Sequence, residues 1–199
     1  MEAFMREADR QAVRRLAEIG APAVDPVLRA MSGPYPKGRH PRDVVEALAE
    51  VLIELARRDP QPLIDVLQQT AAPASTHLYE LVESLAHADE HKVADVLIST
   101  LRHPDKWIRS SAAAALVKLR SKRAKLPLIE ALKDRSSDVK SVVVFAMQSS
   151  AFLRDVRAVG PLSRIVASQS LQKHTPGLCE AAQDLISKIE RTASTRRRG

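Results

Sequence analysis

Residues 103–133 read HPDKWIRSSAAAALVKLRSKRAKLPLIEALK, and they spell out two amphipathic helices joined by a short turn. Ile108, Ala112, Ala115, Leu116 and Leu119 step by 4, 3, 1 and 3, which places them on one face of a helix. Arg120 to Arg123 form a polar, basic turn. Ala124, Leu128, Ile129 and Leu132 then repeat the same kind of spacing. A hairpin of this size cannot cover both of its apolar stripes, so it has to stack against neighbours.

The neighbours are in the sequence. Moving forward by 31 residues carries Ile108-Arg109 to Val139-Lys140, and Ala112, Ala115 and Leu116 to Val143, Ala146 and Met147. Each second helix is marked by a proline ahead of an apolar residue: Pro26-Val27, Pro62-Leu63, Pro127-Leu128 and Pro161-Leu162, with Val96-Leu97 in the equivalent place of the third hairpin. The markers at 26, 62, 96, 127 and 161 lie 36, 34, 31 and 34 apart. A nearly constant period in this range, with two helices per period, predicts an all-α solenoid of about five hairpins. A last helix at 176–191, with Thr175 as its cap and Leu178, Ala182, Leu185 and Ile189 on its apolar face, is expected to close the stack.

Residues 16–28, LAEIGAPAVDPVL, resemble the HEAT repeat, particularly its short bacterial form related to phycobilisome lyases. Residues 132–140, LKDRSSDVK, resemble the signature between such repeats, a turn aspartate followed by valine and a basic residue. The resemblance spans about residues 5 to 190 and implies a right-handed α-solenoid whose second helices line the concave side. It also implies a ladder of turn aspartates and basic residues, with Asp134, Lys140 and Arg109 in the matching places. His103 stands where the aspartate belongs, so the ladder is expected to break there.

Composition fits the same class. Aromatic residues are 3% of the 199, so the core is built of Leu, Ile, Val and Ala, which suit close helix stacking. The one cysteine, Cys179, excludes an intrachain disulfide and fits a reducing, cytoplasmic compartment; it reads as a small buried apolar residue. No apolar run is long enough to span a membrane, and the first residues do not read as a signal peptide. In the first hairpin Ala8, Ala12, Leu16 and Ile19 are expected to form the buried face, with Gly20 and Pro22 ending the helix. Residues 32–41, with three prolines and two glycines, read as a loop. The expected organisation is a single repeat domain over 1–191 and a disordered basic tail over 192–199, TASTRRRG.

No catalytic constellation emerges. His77, His87 and His91, near Asp89 and Glu90, read as surface histidines rather than as a metal site. Iron-dependent hydroxylases built on HEAT repeats carry His-Glu dipeptides, and none of the six histidines is followed by Glu. Phosphate-binding glycine loops, a nucleophile elbow and paired metal-ligand cysteines are absent from the sequence. No cofactor or small-molecule substrate is expected, and the chain reads as a non-enzyme.

Charge is segregated. Residues 1–101 carry 11 basic and 16 acidic side chains, whereas 102–140 carry 11 basic and 4 acidic. The cations cluster at the turn inside the fourth hairpin, at Arg120, Lys122, Arg123 and Lys125, and the patch is expected to continue towards Arg154 and Arg157 in the fifth. A solvated edge and a site for an anionic partner both fit this cluster. Trp107, one residue before Ile108, is expected at the rim of the apolar face, packed against the preceding hairpin, with an interface anchor as the alternative. The expected function is a scaffold module that binds another protein, of acidic surface, through its concave face or its basic edge. The alternative is a nucleic-acid-binding solenoid that uses the basic fourth repeat and the tail.

Overall fold

The structure, a computed structural model, describes residues 2–34, 40–69, 77–149 and 155–196. Among these residues every regular element is helical: twelve α-helices and short 3-10 turns, with no strand. The chain divides into two compact units, Met1–Leu97 and Ile98–Gly199.

In the first unit α1 (Glu2–Ile19) and α2 (Val24–Met31) form the first hairpin, α3 (Pro41–Arg58) and α4 (Gln61–Gln69) the second, and α5 (Leu78–Ser84) and α6 (Glu90–Thr100) the third. The division between the units falls within α6. Helix α3 is the centre of this unit, packing on α1, α2, α4 and α5. It can do so because Val51, Leu52, Leu55 and Ala56 recur at helical spacing and are all buried. Met31, Leu63, Leu78, Leu81 and Leu85 complete the interior.

The helix end at Gly20 is as the sequence suggests. Gly20 sits at φ 73, a left-handed conformation that a side chain disfavours, and its N–H bonds the Ala17 carbonyl as α1 ends. Asp59 accepts the Gln61 N–H at 3.1 Å, starting α4 beside Pro60. The face of α1 differs from expectation. Ala12 and Ile19 are exposed, Leu16 is half-buried, and Ala17 is the buried position. Helix α1 packs on α3, and Ala17 is the buried one among its described side chains. Ala8 lies where only the backbone is described.

In the second unit α7 (Lys106–Lys118) and α8 (Lys125–Ala131) make the fourth hairpin, and α9 (Ser137–Ser149) and α10 (Val159–Ala167) the fifth. A short α11 (Gln169–His174) precedes α12 (Pro176–Arg196). Helix α7 packs on α9, and α12 covers α9, α10 and α11. The predicted faces are in place: Ile108, Ala112, Ala115, Leu116, Ala124, Leu128, Ile129 and Leu132 are buried, as are their counterparts Val139, Val143, Ala146 and Met147. Leu119 is half-buried. Four consecutive alanines in α7, three of them buried, let the neighbouring backbone approach closely.

Helix α11 was not visible in the periodicity. It forms because Ser168 caps it, accepting the Leu171 N–H at 3.4 Å. The Thr175 hydroxyl donates back to the Leu171 carbonyl at 3.1 Å, closing α11. Helix α12 continues to Arg196, past Arg191 where its apolar spacing ends. Buried Leu178, Ala182, Leu185 and Ile189 hold it down, as expected.

Candidate partner-binding surface

The basic turn of the fourth hairpin is built on a left-handed residue. Arg120 has φ 52; its N–H bonds the Val117 carbonyl at 3.0 Å, and the Ser121 N–H bonds the Leu116 carbonyl at 3.3 Å. This pair of bonds is the Schellman ending of a helix, whose left-handed position glycine usually fills. Ser121 and Ala124 then turn inward and are buried, which leaves Arg120, Lys122 and Arg123 exposed.

Lys125 behaves differently. It is half-buried, and its Nζ lies 3.1 Å from Asp155 Oδ2 on the turn before α10. Asp155 also caps that turn by accepting the Arg157 N–H at 3.0 Å, and receives the Arg157 guanidinium at 2.9 and 2.8 Å. The Arg157 hydrogen bond is the largest influence on the Asp155 carboxyl. Desolvation opposes it, but the Arg157 backbone and Lys125 add to it, and the carboxyl is held far below the usual carboxylate range. The patch is therefore less basic than its cation count suggests, because one carboxylate engages two of its cations. Leu126 and Val156, each next to a member of this pair, are 51% and 60% exposed. Arg154 lies outside the described residues.

Trp107 belongs to the other end of the hairpin. Helix α7 has 13 residues, a rise of about 18 Å from its first residue to its last. Contrary to the expected packing, Trp107 is 57% exposed. It sits one helical step, about 100°, from Ile108, the first buried residue of the face. Lys106 covers its ring instead, with Nζ 4.6 Å from the ring centroid, and Asp138 holds that ammonium at 2.8 Å. The Lys106 hydrogen bond, against some desolvation, keeps the Asp138 carboxyl below its ordinary value.

Beside Trp107, Arg109 is buried and bonds Asp134 at two points, Nε at 2.7 Å and Nη2 at 2.9 Å. Its Nη1 donates to the carbonyls of His103 and Pro104 at 2.8 and 2.9 Å. The missing aspartate at 103 is thus replaced by backbone oxygens, and the charge run holds at Arg109. Lys140, in contrast, has no ion-pair partner among the described residues.

The histidines need one correction. His77 is buried, not on the surface, with Nδ1 3.1 Å from Glu80 Oε1. His91 is exposed, and His87 lies in the 3-10 turn of residues 85–87. Among the described residues no three His, Cys, Asp or Glu side chains are grouped to hold a metal ion. Cys179 is buried, its Sγ 3.5 Å from the Ile165 carbonyl, and burial, with Glu180 nearby, pushes the thiol up. No described helix is long and apolar enough to cross a membrane.

Residues 50–148 match the family model for HEAT repeats. The chain is a HEAT-repeat protein. HEAT repeats generally serve as protein-interaction scaffolds, and the matched segment includes Trp107 and the 120–125 turn, while Asp155, Val156 and Arg157 lie beyond it. No curated protein matches the chain.

Sequence patterning found the cations but not Asp155, Leu126 or Val156. The signal for the last two was present in the repeat register, where both occupy places that other hairpins fill with polar or small residues.

Proposed function

We propose that this HEAT-repeat chain is a non-catalytic interaction module whose partner is another protein. One observation carries the reading: on the fourth and fifth hairpins, large apolar side chains stand more than half exposed. Trp107, Leu126 and Val156 are joined there by Phe145, which is 55% exposed. Tryptophan, phenylalanine and arginine are enriched in protein interfaces, where a buried apolar contact supplies most of the affinity.

Of the concave face and the basic edge, the second is favoured, since the Lys125–Asp155 bond joins the turn of Arg120, Lys122 and Arg123 to the turn of Arg157, and Leu126 and Val156, the residues next to that bond in the chain, are exposed. Trp107 then serves as a separate contact at the far end of α7. The compartment is cytoplasmic, in keeping with a single buried thiol. The nucleic-acid reading draws less support. Asp155 offsets two of the edge cations, and among the described residues of the 120–126 and 155–157 turns none is an aromatic on which a base could stack.

The test is a titration of the full chain with a partner protein purified after capture. Replacing Arg120, Lys122, Arg123 and Lys125 by Ala should slow association and remove most of its salt dependence; Trp107→Ala should speed dissociation. Should neither variant change binding, while random duplex DNA binds with a steep salt slope, the protein-scaffold reading is wrong.

A further inference from the structure

Aligned on their second-helix markers, the five hairpins place Asp25, Gln61, Asp95, Leu126 and Gly160 at one equivalent position. All five are exposed. Five residues before each marker stand Ala21, Arg57, His91, Lys122 and Val156, and all of these are exposed too. In this register both positions lie in solvent, even though Arg57 belongs to α3 and His91 and Asp95 to α6, and none of the other hairpins places a large apolar side chain at either. Leucine at the first and valine at the second depart from the pattern, and they do so in consecutive hairpins. The Lys125–Asp155 bond, 3.1 Å long, joins the residue before Leu126 to the residue before Val156. One ion pair thus brings the two departures to the same edge.

Arg120 is a third departure. A left-handed φ of 52 favours glycine, yet the position carries a long cation at a conformational cost. Arg120, Lys122 and Arg123 stand exposed in the turn that leads to Lys125 and Leu126. In the turn of the next hairpin Asp155 fixes Arg157, the residue after Val156.

We propose that this edge takes an acidic protein segment bearing an apolar side chain, which Leu126 and Val156 seat while Arg120, Lys122 and Arg123 meet its carboxylates. The proposal rests on the protein-binding reading and deepens it. Charge complementarity selects the acid, and the apolar pair selects a peptide over a phosphate backbone, which offers no apolar side chain to seat. Asp155 sharpens that choice as a specificity-determining residue. It engages Lys125 and Arg157, which would otherwise add two phosphate contacts, and it presents negative charge of its own.

Fluorescence anisotropy of the full chain with three probes tests this. The probes are a short peptide of alternating glutamate and leucine, its glutamate–serine counterpart of equal charge, and a random duplex DNA. The glutamate–leucine peptide should bind about tenfold tighter than the serine peptide, the size expected for covering one large apolar side chain. Leu126→Ser with Val156→Ser should erase that ratio and leave the serine peptide unaffected. Arg120→Gly should weaken both peptides while the melting temperature holds or rises, which separates lost binding from lost fold. Asp155→Asn keeps a capping acceptor and should steepen the salt slope for DNA by about 0.9 for each additional phosphate that the freed cations meet.

Equal affinity for the two peptides, or a preference that survives the double serine variant, would overturn the proposal. So would DNA binding to the unaltered chain more tightly than either peptide, or tighter capture by phosphatidylserine vesicles. A purified protein partner that still binds the double serine and Arg120→Gly variants unchanged would sink this inference and leave the protein-scaffold reading standing. DNA binding with no protein partner would sink both.

Discussion

Arg109 reaches Asp134 across 25 residues of sequence and meets its carboxylate at two points, with both side chains almost wholly out of water. Both Nη1 donors go to the carbonyls of His103 and Pro104, so four of the guanidinium's five N–H groups are bonded and its charge is met by a carboxylate. A buried pair of this kind is costly to break from one side. Asp134→Ala should destabilise the chain by about 3–5 kcal/mol in chemical denaturation, because it strands the arginine. Replacing both residues together, Arg109→Met with Asp134→Leu, should cost much less than the two single changes added. Additive losses would show that the pair is not coupled.

The acid limb of stability follows from three carboxylates. Desolvation works to raise Asp134, but the Arg109 and Ser136 hydrogen bonds and the Arg109 and Arg135 charges outweigh it, and the carboxyl is lowered. Asp138 and Asp155 are lowered too, by hydrogen bonds from Lys106 and Arg157 respectively. A carboxyl depressed in the folded state stabilises above its unfolded value and loses that contribution as pH falls through the folded one. The melting temperature should therefore hold down to about pH 5 and drop below about pH 4. Asp134→Asn should flatten the acid limb, and an unchanged limb would show that Asp134 plays no part in it.

Leu116 is fully buried in α7 at the contact with α9. Leu116→Ala should cost about 2–5 kcal/mol, through lost transfer energy and the cavity left behind. A loss below about 0.5 kcal/mol would contradict the packing of this face.

Arg120→Gly should move stability the other way. Relief of the left-handed strain is worth about 1–2 kcal/mol, offset by about 0.5–1 for the freer unfolded chain. Denaturation should show no loss and up to about 1.5 kcal/mol of gain. A clear loss of stability would mean that the arginine side chain supports the fold.

Trp107 is the single tryptophan, so fluorescence reports on it alone. With more than half of its surface in solvent, emission should be red-shifted and readily quenched by acrylamide. Asp138→Ala should raise quenching further by releasing Lys106 from the ring. Blue-shifted, protected emission would place the ring in an interior.

The fold was legible because it rests on periodicity. A buried stripe such as Ile108, Ala112, Ala115 and Leu116 must recur at helical spacing to be buried at all, and the recurrence is countable. The surface was legible only as a tally of charges. Counting found Lys125 and Arg157 but could not show that both lie on Asp155, since that depends on the distance between two turns. Trp107 was misplaced for a related reason. Spacing puts it beside a buried residue without fixing whether a neighbour is close enough to cover it, and Lys106 takes that role. His77 shows the reverse, a polar residue taken inside because Glu80, one helical turn on, supplies its hydrogen bond.

The fourth and fifth hairpins are fastened at both ends. At one end stand the Arg109–Asp134 and Lys106–Asp138 bonds, together with Arg135 donating to the Pro104 carbonyl at 2.9 Å. At the other, Lys125 reaches Asp155. Two fastenings about 18 Å apart leave little freedom for one hairpin to slide or tilt on the next. The edge that carries Leu126 and Val156 is thus preorganised, its spacing set before anything arrives. A ligand docking there forgoes the entropy of aligning two loose turns, so even a small contact area yields useful affinity. Loosening the distant Arg109 end should then weaken binding at the turns without touching any residue that meets the ligand.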